Sequence, residues 1–275
     1  MLRAVRSITS CAVKGDMMFG FFKSKPLLES DLVDWQFQCF EWLLRNTGGM
    51  KALHEETKLI KPTDEFFPHG GNTQSELAES IFRQVKQHSG MSDWPCRLQA
   101  QKADPSIIVA PTVVLQGAPS SPLGTFACDS EKEEIIITYN PASVSNPMSL
   151  IATFAHELAH YLTGTFQEEP PGGWENWEYA TDVATTFLGF GIFTANSCFN
   201  FSQYTSVDTQ GWKTSRQGYL SEPELLHAHA IFSCLMDLPV KESLSHLKSS
   251  LRGSFKQAYK DVTSSPGRID SLKAI

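Results

Sequence analysis

Pro147-Met148-Ser149-Leu150-Ile151-Ala152-Thr153-Phe154-Ala155-His156-Glu157-Leu158-Ala159-His160-Tyr161-Leu162-Thr163-Gly164 is the stretch on which the reading of this chain turns. Leu150, Ile151, Phe154, Leu158, Tyr161 and Leu162 recur at helical spacing and form a broad apolar face, and Gly164 marks where the helix should stop. Within it, His156-Glu157-Leu158-Ala159-His160 has the form H-E-x-x-H. Two histidines four apart lie about one turn apart on one helix face and can share one ion, with Glu157 projecting from beside them. Zinc takes neutral imidazoles at about 2.0 Å and keeps a position for water, whose pKa it lowers toward 7; an adjacent carboxylate can then accept the proton. A chance match to this pattern is usually a solvated helix face. Here the neighbours Phe154, Leu158 and Tyr161 are bulky and the two x positions carry no charge. Histidine and glutamate buried on such a helix are costly without a partner, and a metal ion supplies one.

Two histidines hold zinc poorly, so a third ligand is required. Pro170-Pro171-Gly172-Gly173 cannot continue a helix and sets up a new one beginning near Trp174. That helix carries Glu178 and Asp182, four apart and therefore on the same face. Glu178 suits the metal, while Asp182 suits the outer ring N–H of a liganding histidine, fixing its tautomer. Glu175, one turn earlier, and Asp182 itself are the rival ligands.

His156-Glu157-Leu158-Ala159-His160 followed by Glu178 and Asp182 resembles the gluzincin group of zinc metallopeptidases, the thermolysin-like clan. The resemblance spans about residues 106–238 and its motifs about 27 residues. It implies a zincin fold, in which a sheet precedes the H-E-x-x-H helix and its edge strand, here about Gly124 to Ala127, holds extended substrate. It also implies that His156, His160 and Glu178 bind zinc, that Glu157 is the base and then the acid, and that Asp182 partners His156. The chain departs from the thermolysin pattern at Trp177, where that pattern has asparagine before its glutamate ligand. A tetrahedral intermediate further requires an oxyanion donor. Tyr219, His227 and His229 are the candidates, and the two histidines, being two apart, should not both point inward.

The rest of the chain predicts an α+β domain. Leu32, Val33, Trp35, Phe37, Phe40, Trp42, Leu43 and Leu44 predict a helix from Ser30 that Thr47-Gly48-Gly49 stops, and Thr73-Gln74-Ser75-Glu76 starts a second running to about Gln87. Short β-branched runs at 106–109, 124–127 and 134–139 predict a small sheet. Helical patterns also cover Ser221 to about Leu238 and about Val240 to Val262. The expected organisation is a disordered tail over 1–26 and a single catalytic domain over 27–262. That domain comprises N-terminal helices (27–95), a sheet (96–140) and the zinc-site and C-terminal helices (147–262), and a tail follows over 263–275. Arg3 and Arg6 among serines suggest a transit peptide, but an unstructured tail, with Met17 or Met18 as an alternative start, is the preferred expectation.

With 41% apolar and 19% charged residues, the 275-residue chain can build a substantial core. A net charge of -7 without a basic block argues against a nucleic-acid partner. The six cysteines form no C-x-x-C pair, so they read as reduced thiols rather than a metal cage. The most apolar window, 187–199, is interrupted by Gly189, Gly191, Thr194, Asn196 and Ser197, so no membrane span is expected. These features predict a cytoplasmic monomer, and the resemblance to gluzincins implies a peptide or protein substrate. Two rival readings remain. A dinuclear iron or manganese carboxylate protein would use Glu157 with His160 and Glu224 with His227. A non-catalytic module would keep the zinc and only recognise a peptide strand.

Overall fold

Asn146 starts the helix that the rest of the molecule surrounds. Its side-chain oxygen accepts the Ser149 N–H at 3.3 Å, Pro147 occupies the first turn where its missing N–H costs nothing, and Gly164 ends the helix. In this computed structural model, which describes residues 26–101, 107–110, 113–115, 124–129, 134–206 and 220–275, the helix is α4, Pro147–Thr163. Every residue from Ser149 to His160 is buried. A helix covered on all sides belongs in the centre of a fold, and α4 touches one element or more on each side. These are α3 (Gln74–His88), the sheet strands β4 (Gly124–Asp129) and β5 (Glu134–Tyr139), α5 (Trp177–Thr185) and α6 (Gly191–Ser206).

The fold is α+β and mostly helical. α1 (Ser30–Asn46) lies against α5, and α2 (Gly49–Glu56) follows it after Gly48, whose φ of 89° turns the chain. The capping box of Thr73 and Glu76 opens α3. β1 (Cys96–Ala100) pairs in parallel with β5, and β4 pairs antiparallel with β5, giving a three-stranded sheet of order β1-β5-β4. β2 (Ile107–Ala110) and β3 (Val113–Leu115) form a separate antiparallel pair. α7 (Glu222–Leu235), α8 (Val240–His246), α9 (Arg252–Thr263) and α10 (Pro266–Lys273) complete the chain, and one apolar core runs from Phe37 to Leu272. None of the described helices is long and apolar enough to cross a membrane.

Three expectations need correction. The run at 106–109 does not join the 124–139 strands; β1 takes its place, a strand hidden from pattern reading because Cys-Arg-Leu-Gln-Ala is only half apolar and half buried. The helix expected over Val240 to Val262 is two helices. At the break the Asn196 side chain donates to the His246 carbonyl at 2.9 Å and accepts the Lys248 N–H at 2.9 Å, supplying the partners that continued helix would have supplied. Residues 263–275 are not a tail but carry α10, which buries Ile269 and Leu272 and sets Arg268 over the Phe37 ring at 4.0 Å and against Asp34 at 2.7 Å. Beyond α5 the chain runs on as helix through 186–206 with a kink at Gly189. A π-turn at Thr186–Phe190 places Gly189 at a φ of 94°, and its carbonyl accepts the Ile60 N–H at 3.1 Å.

Gly189 is required on two counts: its φ is one L-residues rarely adopt, and a Cβ there would stand 2.1 Å from the Lys58 carbonyl oxygen. Gly189→Ala should therefore destabilise the fold by on the order of 3 kcal/mol. Urea unfolding followed by circular dichroism checks this, and a loss below about 1 kcal/mol would contradict the strained placement.

Candidate metal centre

α4 and α5 face each other so that His156, His160 and Glu178 meet, their donor atoms all within 4.8 Å of one another. Glu178 Oε2 lies 3.0 Å from His160 Nε2 and 3.5 Å from His156 Nε2. Two ligands tetrahedrally arranged about zinc at 2.0–2.1 Å would be about 3.3 Å apart, so these separations need little adjustment to share an ion. Both histidines are almost wholly buried, whereas the Glu178 side chain is half exposed, so the group opens to solvent on the α5 side. Among the described residues, this is the group able to hold a metal. Glu175 is exposed in the short 3-10 turn Trp174–Asn176 and does not join it.

The outer ring nitrogens of both histidines are held. His156 Nδ1 lies 3.0 Å from Asp182 Oδ1, and Asp182 Oδ2 accepts the Leu220 N–H at 2.8 Å. His160 Nδ1 lies 3.2 Å from Thr181 Oγ1, whose own hydroxyl donates to the Trp177 carbonyl at 2.8 Å. The Thr181 oxygen is thus the acceptor of the His160 Nδ1–H. With each Nδ1 carrying the proton, each Nε2 presents a lone pair toward a carboxylate oxygen. Three acceptors aimed at one point repel unless a cation or a proton lies between them, and that is the fit of this group to a metal ion. The protonation equilibria report the same demand. Burial alone would lower the His156 pKa, but hydrogen bonds to Asp182 and Glu178 outweigh it and raise it to about 10. At His160 burial prevails and the pKa falls. Burial pushes the Glu178 carboxyl up, yet the two histidines hold it well below the usual carboxylate range. A divalent cation at that point would satisfy both imidazoles and the carboxylate.

Glu157 is 5% exposed and its carboxylate accepts no hydrogen bond from any described residue. Burial, countered by the His156 charge, raises its pKa to about 7. A buried carboxylate left without protein donors beside three metal-type ligands is costly as structure alone.

Thr181 escaped sequence reading, although its place three residues after Glu178 on the same helix face was a usable signal. Trp177, the departure from the thermolysin pattern, packs edge-on against the His160 ring at 4.8 Å and donates its indole N–H to Thr163 Oγ1 at 2.9 Å. Tyr219 lies outside the described residues. His227 and His229 are both buried, because α7 is covered on every side from Leu225 to Leu235. Neither joins the metal group. His227 Nδ1 bonds Gln36 Oε1 at 2.7 Å and His229 Nε2 bonds Ser243 Oγ at 2.9 Å. Glu224 completes the capping box of α7 through the Ser221 N–H. The Glu224 and His227 pair needed for a dinuclear centre is therefore engaged elsewhere.

Comparison with known proteins finds no matching family model, no similar curated protein and no similar solved structure.

Two outcomes follow from this geometry. Thr181→Val, which keeps the shape and removes the acceptor for His160, should weaken metal affinity about 10- to 100-fold in a competition titration with a chromophoric chelator. Burial lowers the pKa of His227 to about 4 and of His229 to about 3. Their folded values lie below the unfolded value near 6.5, so the unfolded chain binds more protons as the pH falls. Stability present above pH 6.5 should be lost progressively toward pH 4 and level off near pH 3, by roughly 2 kcal/mol per histidine at pH 5. Urea midpoints at pH 7 and pH 5 measure it, and His229→Gln should flatten the dependence.

Proposed function

We propose that this chain is a zinc-dependent peptidase of the gluzincin type, with His156, His160 and Glu178 as metal ligands and Glu157 as the proton-transferring residue. The observation that carries the reading is the convergence of two Nδ1-anchored imidazoles and one carboxylate oxygen beside the largely buried carboxylate of Glu157. A bound zinc ion would supply a Lewis acid and a water acidified toward neutrality. The chain's own residues do the rest. Asp182 and Thr181 hold the two imidazoles in the tautomer that presents Nε2. Glu157 takes the proton of the attacking water and returns it to the amine leaving group as the peptide bond breaks.

Position in the fold supports a peptide as substrate. β4 is an edge of the sheet and lies alongside α4, so an extended peptide pairing with that edge would run past the metal group. An arrangement of sheet, H-E-x-x-H helix and glutamate helix in this order is what a zincin fold requires, and that fold is part of the proposal. The described cysteines Cys39, Cys96, Cys198 and Cys234 are free thiols, which suits a reducing compartment such as the cytoplasm.

Elemental analysis of the purified protein should find one zinc per chain, and Glu178→Ala should lose most of it. Glu157→Gln should keep the metal while its turnover of a peptide library falls about 10²- to 10⁴-fold, and chelation should abolish wild-type turnover. Absence of metal in the wild type, or undiminished turnover by Glu157→Gln, would refute the reading. Zinc retained with no peptide turned over by the wild type would favour a recognition module instead.

A further inference from the structure

α1 carries Trp35 and Trp42, seven residues and two turns apart, so both side chains leave the same face. Read from the sequence they are members of an apolar stripe; in the fold each also performs a polar task. Trp35 Nε1 donates to the Pro171 carbonyl at 2.8 Å, and Trp42 Nε1 donates to the Glu168 carbonyl at 3.2 Å. Both acceptors lie in 164–173, the segment that joins α4, with the two histidines, to the turn and helix that carry Glu178. Trp42 also packs edge-on against Phe166 of that segment at 5.0 Å.

The segment has few means of its own to keep its shape. Pro170 and Pro171 lack N–H donors, and Gly172 and Gly173 both sit at a φ of 87°. Its other bonds are local and cluster at its two ends: Gly164, Thr165 and Phe166 N–H to the carbonyls of His160, Leu162 and Thr163 at one, and Gly173 N–H to the Pro170 carbonyl with Asn176 onto the Gly172 and Gly173 carbonyls at the other. Between them the two long-range bonds from α1 set where the segment lies. A ligand group works only when held within a fraction of an ångström by its supporting shell, and the span between α4 and α5 decides whether Glu178 Oε2 reaches both Nε2 atoms.

We propose that Trp35 and Trp42 are positioning residues of the metal centre. Their indole N–H groups pin the 164–173 segment and thereby set the separation between the histidine helix and the glutamate helix. This rests on the metal reading above. Helix α1, 110 residues before the first ligand, is then part of the centre's machinery rather than only a cover for the core.

Trp35→Phe and Trp42→Phe, singly and together, keep an aromatic ring and delete the N–H donor. Glu168 is an exposed residue and Pro171 a half-buried one, so water can replace the lost donors, while the smaller ring at buried Trp42 costs some packing that the stability control below accounts for. Zinc affinity of the full-length double variant should fall about 10-fold or more, as when a residue supporting a ligand is removed, and amide exchange in 164–173 should quicken. Val262→Ala, a core truncation in α9 remote from the centre, is the control for stability alone; it should lower the melting temperature and leave zinc affinity unchanged. Zinc affinity in the double variant no weaker than in Val262→Ala, or unchanged exchange in 164–173, would overturn the proposal. Should the wild type bind no zinc, the metal reading fails by itself and this proposal, which rests on it, falls as well; exchange in the metal-free chain still reports whether the indoles pin the segment.

Discussion

Two imidazoles and a carboxylate turned toward one another, with the other sides of both rings already bonded, form an arrangement that cannot persist as three bare acceptors. Everything near α4 is organised by that constraint. Asp182 and Thr181, adjacent on one helix, take the Nδ1 protons of His156 and His160. Leu220 fixes the second oxygen of Asp182, and Trp177 braces the His160 ring. Each contact adds about a kcal/mol at most, but together they leave the Nε2 atoms no choice of direction. Burial makes this strict, because water is not at hand to satisfy a ring that strays.

Polar chemistry placed on a helix buried without a break from Ser149 to His160 needs support from distant parts of the chain. α4 is covered by α3, α5, α6 and the sheet, and α5 is in turn backed by α1. The same pattern recurs away from the centre. Asn196 of α6 satisfies both backbone groups at the break between α8 and α9, and Gln36 of α1 bonds both His227 and the Glu224 carbonyl of α7. Asn196 thus replaces backbone bonds where the chain turns from α8 to α9, while Gln36 ties α1 to α7. The cost of burying them is offset because each is fully engaged.

The group opens on the side of Glu178, and β4, an edge of the sheet among the described residues, lies close to α4. Glu157 sits inside, screened from bulk water and lacking protein donors. A carboxylate in that environment is a stronger proton acceptor than one in solvent.

Local pattern decided a good deal. The limits of α4 follow from Asn146, Pro147 and Gly164, and the helix after Pro170-Pro171-Gly172-Gly173 follows from residues that cannot continue the one before. The placement of His156 and His160 on one face follows from the period of the helix alone. What pattern could not decide was whether a second helix would turn Glu178 rather than Glu175 toward them, since that depends on how α5 lies on α4. The role of Thr181, the split at residues 247–251, the docking of α10 and the burial of both His227 and His229 were equally out of reach. In each case a partner 14 to about 230 residues away, such as Ser243, Asn196 or Asp34, supplies the deciding contact. Short-range periodicity records what one element prefers, whereas the meeting of donor atoms from separate elements is settled only when the core brings those elements into register.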